Sequence, residues 1–140
     1  MDDRVVIIVE GKNDRRRLRR LLPDTDHVTI VMTYGIPTES RLLLIRRAAG
    51  NAEVFIFTDA DATGRRIRAI LREAFPDAHH LYTKASYRGV ETTPLDYLAE
   101  RLRAVGLEPY EEELDEVAER ARIRSGRNTK RARAIRPAPK

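Results

Sequence analysis

Four short apolar runs, RVVIIVE (4–10), VTIVMT (28–33), EVFIFTD (53–59) and AHHLYT (78–83), are each followed by a segment with helical spacing. That alternation constrains the fold of this chain more than any other feature. The first run meets no polar side chain between Arg4 and Glu10, the pattern of a strand buried on both faces. Leu18, Leu21 and Leu22 then mark one face of a predicted helix over 12–22, which Pro23 and Asp24 end. Leu42, Leu43 and Ile45 mark the inward side of a second over 38–49, with Thr38 as its cap and Gly50 and Asn51 as its stop. Ile67, Ile70, Leu71 and Phe75 do the same over 63–75, and Pro94 opens a fourth helix over 94–106.

Strand followed by helix, with short connections, implies βαβ units. The expected class is therefore α/β, a Rossmann-like fold with about four strands, mostly parallel, and helices on both faces. In such sheets functional groups collect at the carboxyl ends of the strands. Glu10 ends the first strand, Asp59 ends the third, and Asp61 follows in the loop. If those two strands are neighbours, three carboxylates meet on one rim.

At 140 residues the chain is one ordinary domain. No run approaches the roughly 18 apolar residues of a membrane span, and the opening MDDR does not read as a signal peptide. Zero Cys excludes disulfides and thiolate metal sites. The expectation is a soluble, cytoplasmic protein without membrane partners. Its net charge of +5 is unevenly placed: residues 120–140 hold nine Lys or Arg and no acid, so the body over 1–119 is mildly acidic. The division expected is a domain over 1–119, the stretch over 108–124 making one more helix, and a disordered tail over 120–140. Arg127, Lys130, Arg131 and Arg133 belong to that tail, either a solubilising terminus or a polyelectrolyte arm for nucleic acid.

Three converging carboxylates repel one another unless a cation lies between them, which points to Mg²⁺, with Mn²⁺ as a substitute. Mg²⁺ takes one or two protein carboxylates, waters and substrate phosphate. Asp59 and Asp61 suit that role, while Gly64 permits close approach of the backbone to a bound ligand, the nucleic acid, and the following helix start offers N–H groups to phosphate. The plainer reading is that the two aspartates cap a helix start. Glu10 is open to two roles, general acid or base and third metal ligand.

Taken together, IIVEGKND (7–14) and FTDADATGRRIR (57–68) resemble the two signature motifs of the TOPRIM (topoisomerase-primase) domain. The later YRGVETTP (87–94) is similar to the branch that contains small stand-alone TOPRIM proteins and the TOPRIM half of the nucleases maturing 5S ribosomal RNA. The resemblance spans residues 4–106. It implies Mg²⁺ at Asp59 and Asp61, Glu10 as acid or base in phosphodiester chemistry, and Lys12 facing the phosphate. Arg65, Arg66 and Arg68 would guide a nucleic-acid backbone, RNA or DNA. Arg88 is a further phosphate contact, and Glu91 an auxiliary for metal or water unless the two simply pair. The chain departs from the larger members: it shows no zinc-binding or helicase-contacting module, and an acidic stretch and basic tail stand where the 5S maturation nucleases carry a further domain, so a partner protein supplying a missing module is one expectation.

Other readings compete. TDADAT also fits the nucleophile loop of haloacid-dehalogenase-type phosphatases, yet only Lys84 follows it before the tail, without an Asp-Asp pair. A receiver-like phosphoacceptor would place an acidic pair after the first strand, where Glu10 is followed by Gly11 and Lys12. A TOPRIM module that binds nucleic acid or docks a partner without cutting is the stronger alternative to a nuclease. Tyr34, Tyr82, Tyr87, Tyr97 and Tyr110 read as structural, in or beside core elements, as do His79 and His80.

Overall fold

The computed structural model describes residues 4–22, 27–83, 89–90 and 92–109. The element order is β1 (Val5–Val9), α1 (Lys12–Arg19), β2 (Val28–Met32), α2 (Glu39–Ala49), β3 (Glu53–Phe57), α3 (Ala62–Ala74), β4 (His79–Leu81) and α4 (Leu95–Ala104). The expected α/β class is borne out, as a four-stranded sheet in the order β2-β1-β3-β4 with every pairing parallel. The acidic stretch expected to form a further helix and the basic tail lie outside the described residues. No helix among the described residues is long and apolar enough to cross a membrane.

Strand alternation divides the core in two. Ile7, Val9, Phe55 and Phe57 point to one face, where Leu18 of α1 and Leu98 and Leu102 of α4 cover them. Val6, Ile8, Val54 and Ile56 point to the other, against Ile45 and Ala49 of α2 and Ile67 and Leu71 of α3. Both faces of β1 and β3 are buried, which is why those strands read as continuous apolar runs.

Two local expectations are corrected. The first helix stops at Arg19, and Leu21 and Leu22 reach the core from a turn in which both backbone N–H groups donate to the Leu18 carbonyl, at 3.0 and 2.9 Å. Leu43 does not face inward: it is 49% exposed, because the buried stripe of α2 runs through Ile45 and Ala49 with Leu42 partly buried beside it.

The strand order locates the site. From β1 the chain crosses by α1 to β2 on one side, and from β3 it crosses by α3 to β4 on the other. Helices leaving in opposite directions open a crevice between the carboxyl ends of β1 and β3, the topological switch point of the sheet.

Candidate acidic site

Glu10 and Asp59 stand on the two sides of that switch point. With β1 and β3 paired in register from Val5 and Glu53 to Ile8 and Ile56, the residues just beyond each strand are brought together. A Glu10 carboxylate oxygen accepts the Asp59 backbone N–H at 2.6 Å. The Asp59 carboxylate in turn accepts the backbone N–H of Val90 at 3.0 Å. Asp61 is the N-cap of α3, accepting the Gly64 N–H at 2.7 Å, an arrangement worth about 1 kcal/mol to the helix. The capping role expected as the plainer reading is thus present for Asp61, and one oxygen of its carboxylate carries it.

Asp14 joins the group from α1. It is 6% exposed and accepts the Gly11 N–H at 3.1 Å, closing the turn after Glu10. Burial pushes the Glu10 carboxyl up, the Asp59 N–H opposes this, and the negative charges of Asp59, Asp14 and Asp61 add to the rise, leaving it at about 7. Lys12, the first residue of α1, is exposed beside this cluster.

Two glycines make the geometry. A Cβ on Gly64 would collide with the backbone of Asp59, so within the protein this glycine is required by its packing against the acidic loop. A Cβ on Gly89 would strike the Asp59 carboxylate. The motif reading contains Gly89 within YRGVETTP but gives it no role, and it gives none to Asp14; a glycine in the loop after the fourth strand is the available signal. The Gly89 turn is closed by the Thr93 hydroxyl, which donates to the Gly89 carbonyl at 2.5 Å, and Arg17 of α1 donates to the Thr93 carbonyl.

The arginines after the second motif separate. Arg65 and Arg66 are exposed on α3, but Arg68 is 6% exposed and corrects the expectation of a phosphate contact. Its guanidinium donates to the carbonyls of Leu81 at 2.7 Å, Ile56 at 3.3 Å and Thr58 at 3.4 Å, and meets His80 Nδ1 at 2.8 Å. Burial lowers its pKa from the usual range, and these partners hold the charge inside. His79 pairs with Glu53 at 2.7 Å and stacks on Phe55, so both histidines have structural partners. Tyr34 and Tyr82 do not sit in the core: they are 59% and 54% exposed, each with an arginine over its ring, Arg41 at 4.6 Å and Arg68 at 4.2 Å. Arg88, Glu91, Tyr87, Tyr110 and the tail residues Arg127, Lys130, Arg131 and Arg133 lie outside the described residues.

Among the described residues no three ligating side chains converge on one point. A Mg²⁺ ion that retains waters and takes phosphate needs only one or two carboxylates, so the donor set fits such an ion without enclosing it. Burial is the larger cause of the rise at Glu10, and the part that Asp59, Asp14 and Asp61 add to it is what a cation would relieve.

The Toprim domain family matches residues 5–93. An uncharacterized Bacillus subtilis (strain 168) protein, YusF, is 30% identical over 102 residues, covering 73% of this chain and 68% of that protein. Ribonuclease M5 of Lactiplantibacillus plantarum is 36% identical over 77 residues, covering 55% of this chain and 40% of that enzyme. The match thus spans less than half the length of that ribonuclease. Among solved structures, a small TOPRIM domain protein from Bacillus stearothermophilus superposes with a TM-score of 0.71 at 33% identity, covering 79% of this chain and 92% of that one.

Proposed function

This chain belongs to the Toprim domain family, and from that premise we propose that it is a Mg²⁺-dependent nucleic-acid-processing protein that hydrolyses phosphodiester bonds. The observation that carries the reading is the contact of Glu10 with Asp59 across the switch point, which holds a half-buried carboxylate, able to accept and return a proton, against the aspartates of the acidic loop. The similarity to ribonuclease M5 supports the same class of chemistry.

In this reading Asp59 and Asp61 hold the metal, with Mn²⁺ as a substitute. When bound, the ion supplies Lewis-acid polarisation of a non-bridging phosphate oxygen. Glu10 takes a proton from the attacking water as its oxygen bonds to phosphorus, and returns it to the oxygen that leaves. Lys12 offsets charge that develops on the phosphate. Exposed Arg65 and Arg66 draw in the polynucleotide backbone, and residues 120–140 add a salt-sensitive electrostatic arm to the domain over 1–119.

A second reading has its own observation: the carboxylates of Glu10, Asp59 and Asp61 each accept a backbone N–H, as structural acids do. In that case the protein holds nucleic acid without cutting it. Incubating end-labelled single-stranded, duplex and structured RNA and DNA with Mg²⁺, Mn²⁺ or EDTA separates the two. The control is the Asp59→Asn/Asp61→Asn pair, in which an amide oxygen still caps α3 and the fold is kept. Metal-dependent fragments missing from the variant establish the nuclease, and retarded, uncut substrate establishes the binding module.

A further inference from the structure

A cavity of about 390 Å³ opens between α3 and the segment after β4, and Asp59 forms the wall it shares with the acidic site. Its size is that of a small-ligand pocket. Arg65, Arg68 and Arg72 line it, spaced at three and four along one face of α3. No carboxylate pairs with these three among the described residues. Arg68 is anchored inside, whereas Arg65 and Arg72 are exposed at the cavity.

Opposite them stands Tyr82. Its ring lies under the Arg68 guanidinium at 4.2 Å, with the His80 ring 6.3 Å away and nearly parallel, while more than half of the residue is exposed. Arg68 covers one face of the ring, and the exposed remainder of Tyr82 is where a further aromatic ring can continue the stack. Burial and then Arg68 and Arg72 hold His80 below the usual histidine range, so it stays a neutral acceptor for Arg68 and leaves the stack in place.

We propose that this cavity seats one unpaired nucleotide of a single-stranded segment adjoining the phosphate at Asp59, its base stacked on Tyr82 and its phosphate between Arg65 and Arg72. Stacking on an aromatic platform within a basic groove is how single strands are held without sequence preference. The inference rests on the reading of Asp59 as the phosphate-proximal acid. It makes the preferred substrate a junction where paired strands end in an unpaired tail, because a duplex carries no base free to enter.

The test is fluorescence anisotropy in EDTA, which stops metal-dependent cleavage, with a hairpin bearing an unpaired overhang and the same hairpin made blunt, each as RNA and as DNA. Tyr82→Leu should weaken overhang binding about ten-fold in the tighter-bound polymer and leave the blunt probe unchanged, while Tyr82→Phe retains wild-type binding. Arg72→Ala, an exposed change, should flatten the salt dependence of overhang binding by about one unit of slope. Tyr82→Leu binding the overhang as the wild type does, or losing both probes equally, overturns the proposal. Cleavage in Mg²⁺ is read alongside. The predicted binding pattern without any cleavage keeps the nucleotide seat and removes the nuclease reading; cleavage with overhang binding indifferent to Tyr82 does the reverse.

Discussion

The carboxylate of Glu10 accepts the backbone N–H of Asp59 at 2.6 Å, joining the ends of two strands that are 49 residues apart in sequence. This contact fixes Glu10 toward the acidic loop while burial and the surrounding aspartates raise its carboxyl from 4.5 to about 7. A folded-state pKa above the unfolded value means that folding favours the protonated form. The associated stability is present below about pH 4.5 and is lost as pH rises through 7.

Glu10→Gln removes that loss while its amide oxygen still accepts the Asp59 N–H. The variant should therefore unfold at a higher temperature than the wild type at pH 8 and at the same temperature at pH 4.5. Adding Mg²⁺ at pH 8 should narrow the gap, because a cation favours the ionised carboxylate. Thermal melts at the two pH values, with and without metal, decide it: equal melting at pH 8 without metal would mean that Glu10 is not destabilised in its charged form.

Gly64 and Gly89 both abut Asp59, yet the same substitution should have different effects at the two positions. Gly64→Ala forces a methyl group against the Asp59 backbone, which cannot yield without displacing the loop, and should cost about 3 kcal/mol of stability. Gly89→Ala meets the Asp59 carboxylate, a side-chain end that can turn aside at the loss of its bond from the Val90 N–H. It should leave the fold nearly intact and reduce Mg²⁺ affinity, measured by titration calorimetry. Denaturant unfolding of both variants checks the contrast, and a Gly89→Ala protein that binds metal normally would sever the loop after β4 from the site.

Much of this is legible in the sequence, for identifiable reasons. The strands are buried on both faces, so their apolar runs stand out, and the acids that follow β1 and β3 declare themselves by position. That β1 lies beside β3 stays conditional there, because strand order is decided by which faces the crossover helices cover, and local pattern does not record it. Exposure on α3 is hidden for the same reason: Arg65 and Arg68 look alike in the chain, and only the carbonyls of Leu81 and Thr58 distinguish the buried one. The sequence places Tyr34 and Tyr82 in or beside core elements without separating the two; each lies beside one, just past a strand end, where the rim faces solvent.

Arg68→Ala and Arg65→Ala should separate structure from binding. The first leaves the Leu81, Ile56 and Thr58 carbonyls without their charged donor and should lower unfolding free energy by about 3 kcal/mol. The second removes an exposed side chain and should leave stability within about 0.5 kcal/mol, while weakening nucleic-acid binding at low salt. Urea titration beside an electrophoretic mobility assay reads both, and a stable Arg68→Ala protein would remove the buried guanidinium from the account of how α3 is pinned to β3 and β4.

Deleting residues 120–140 removes nine basic side chains and no acid, so its effect should be electrostatic and independent of sequence. Each phosphate neutralised on duplex DNA contributes a slope of about −0.9 to the logarithm of affinity against the logarithm of salt concentration. The truncated protein should bind every probe more weakly at low salt and converge on the full chain as salt rises, since screening weakens the arm before it weakens contacts inside the domain. Binding isotherms from about 50 to about 200 mM salt give the result directly. An unchanged slope would assign the salt-sensitive affinity to the domain, with Arg65, Arg66 and Arg72 as the first residues to substitute next.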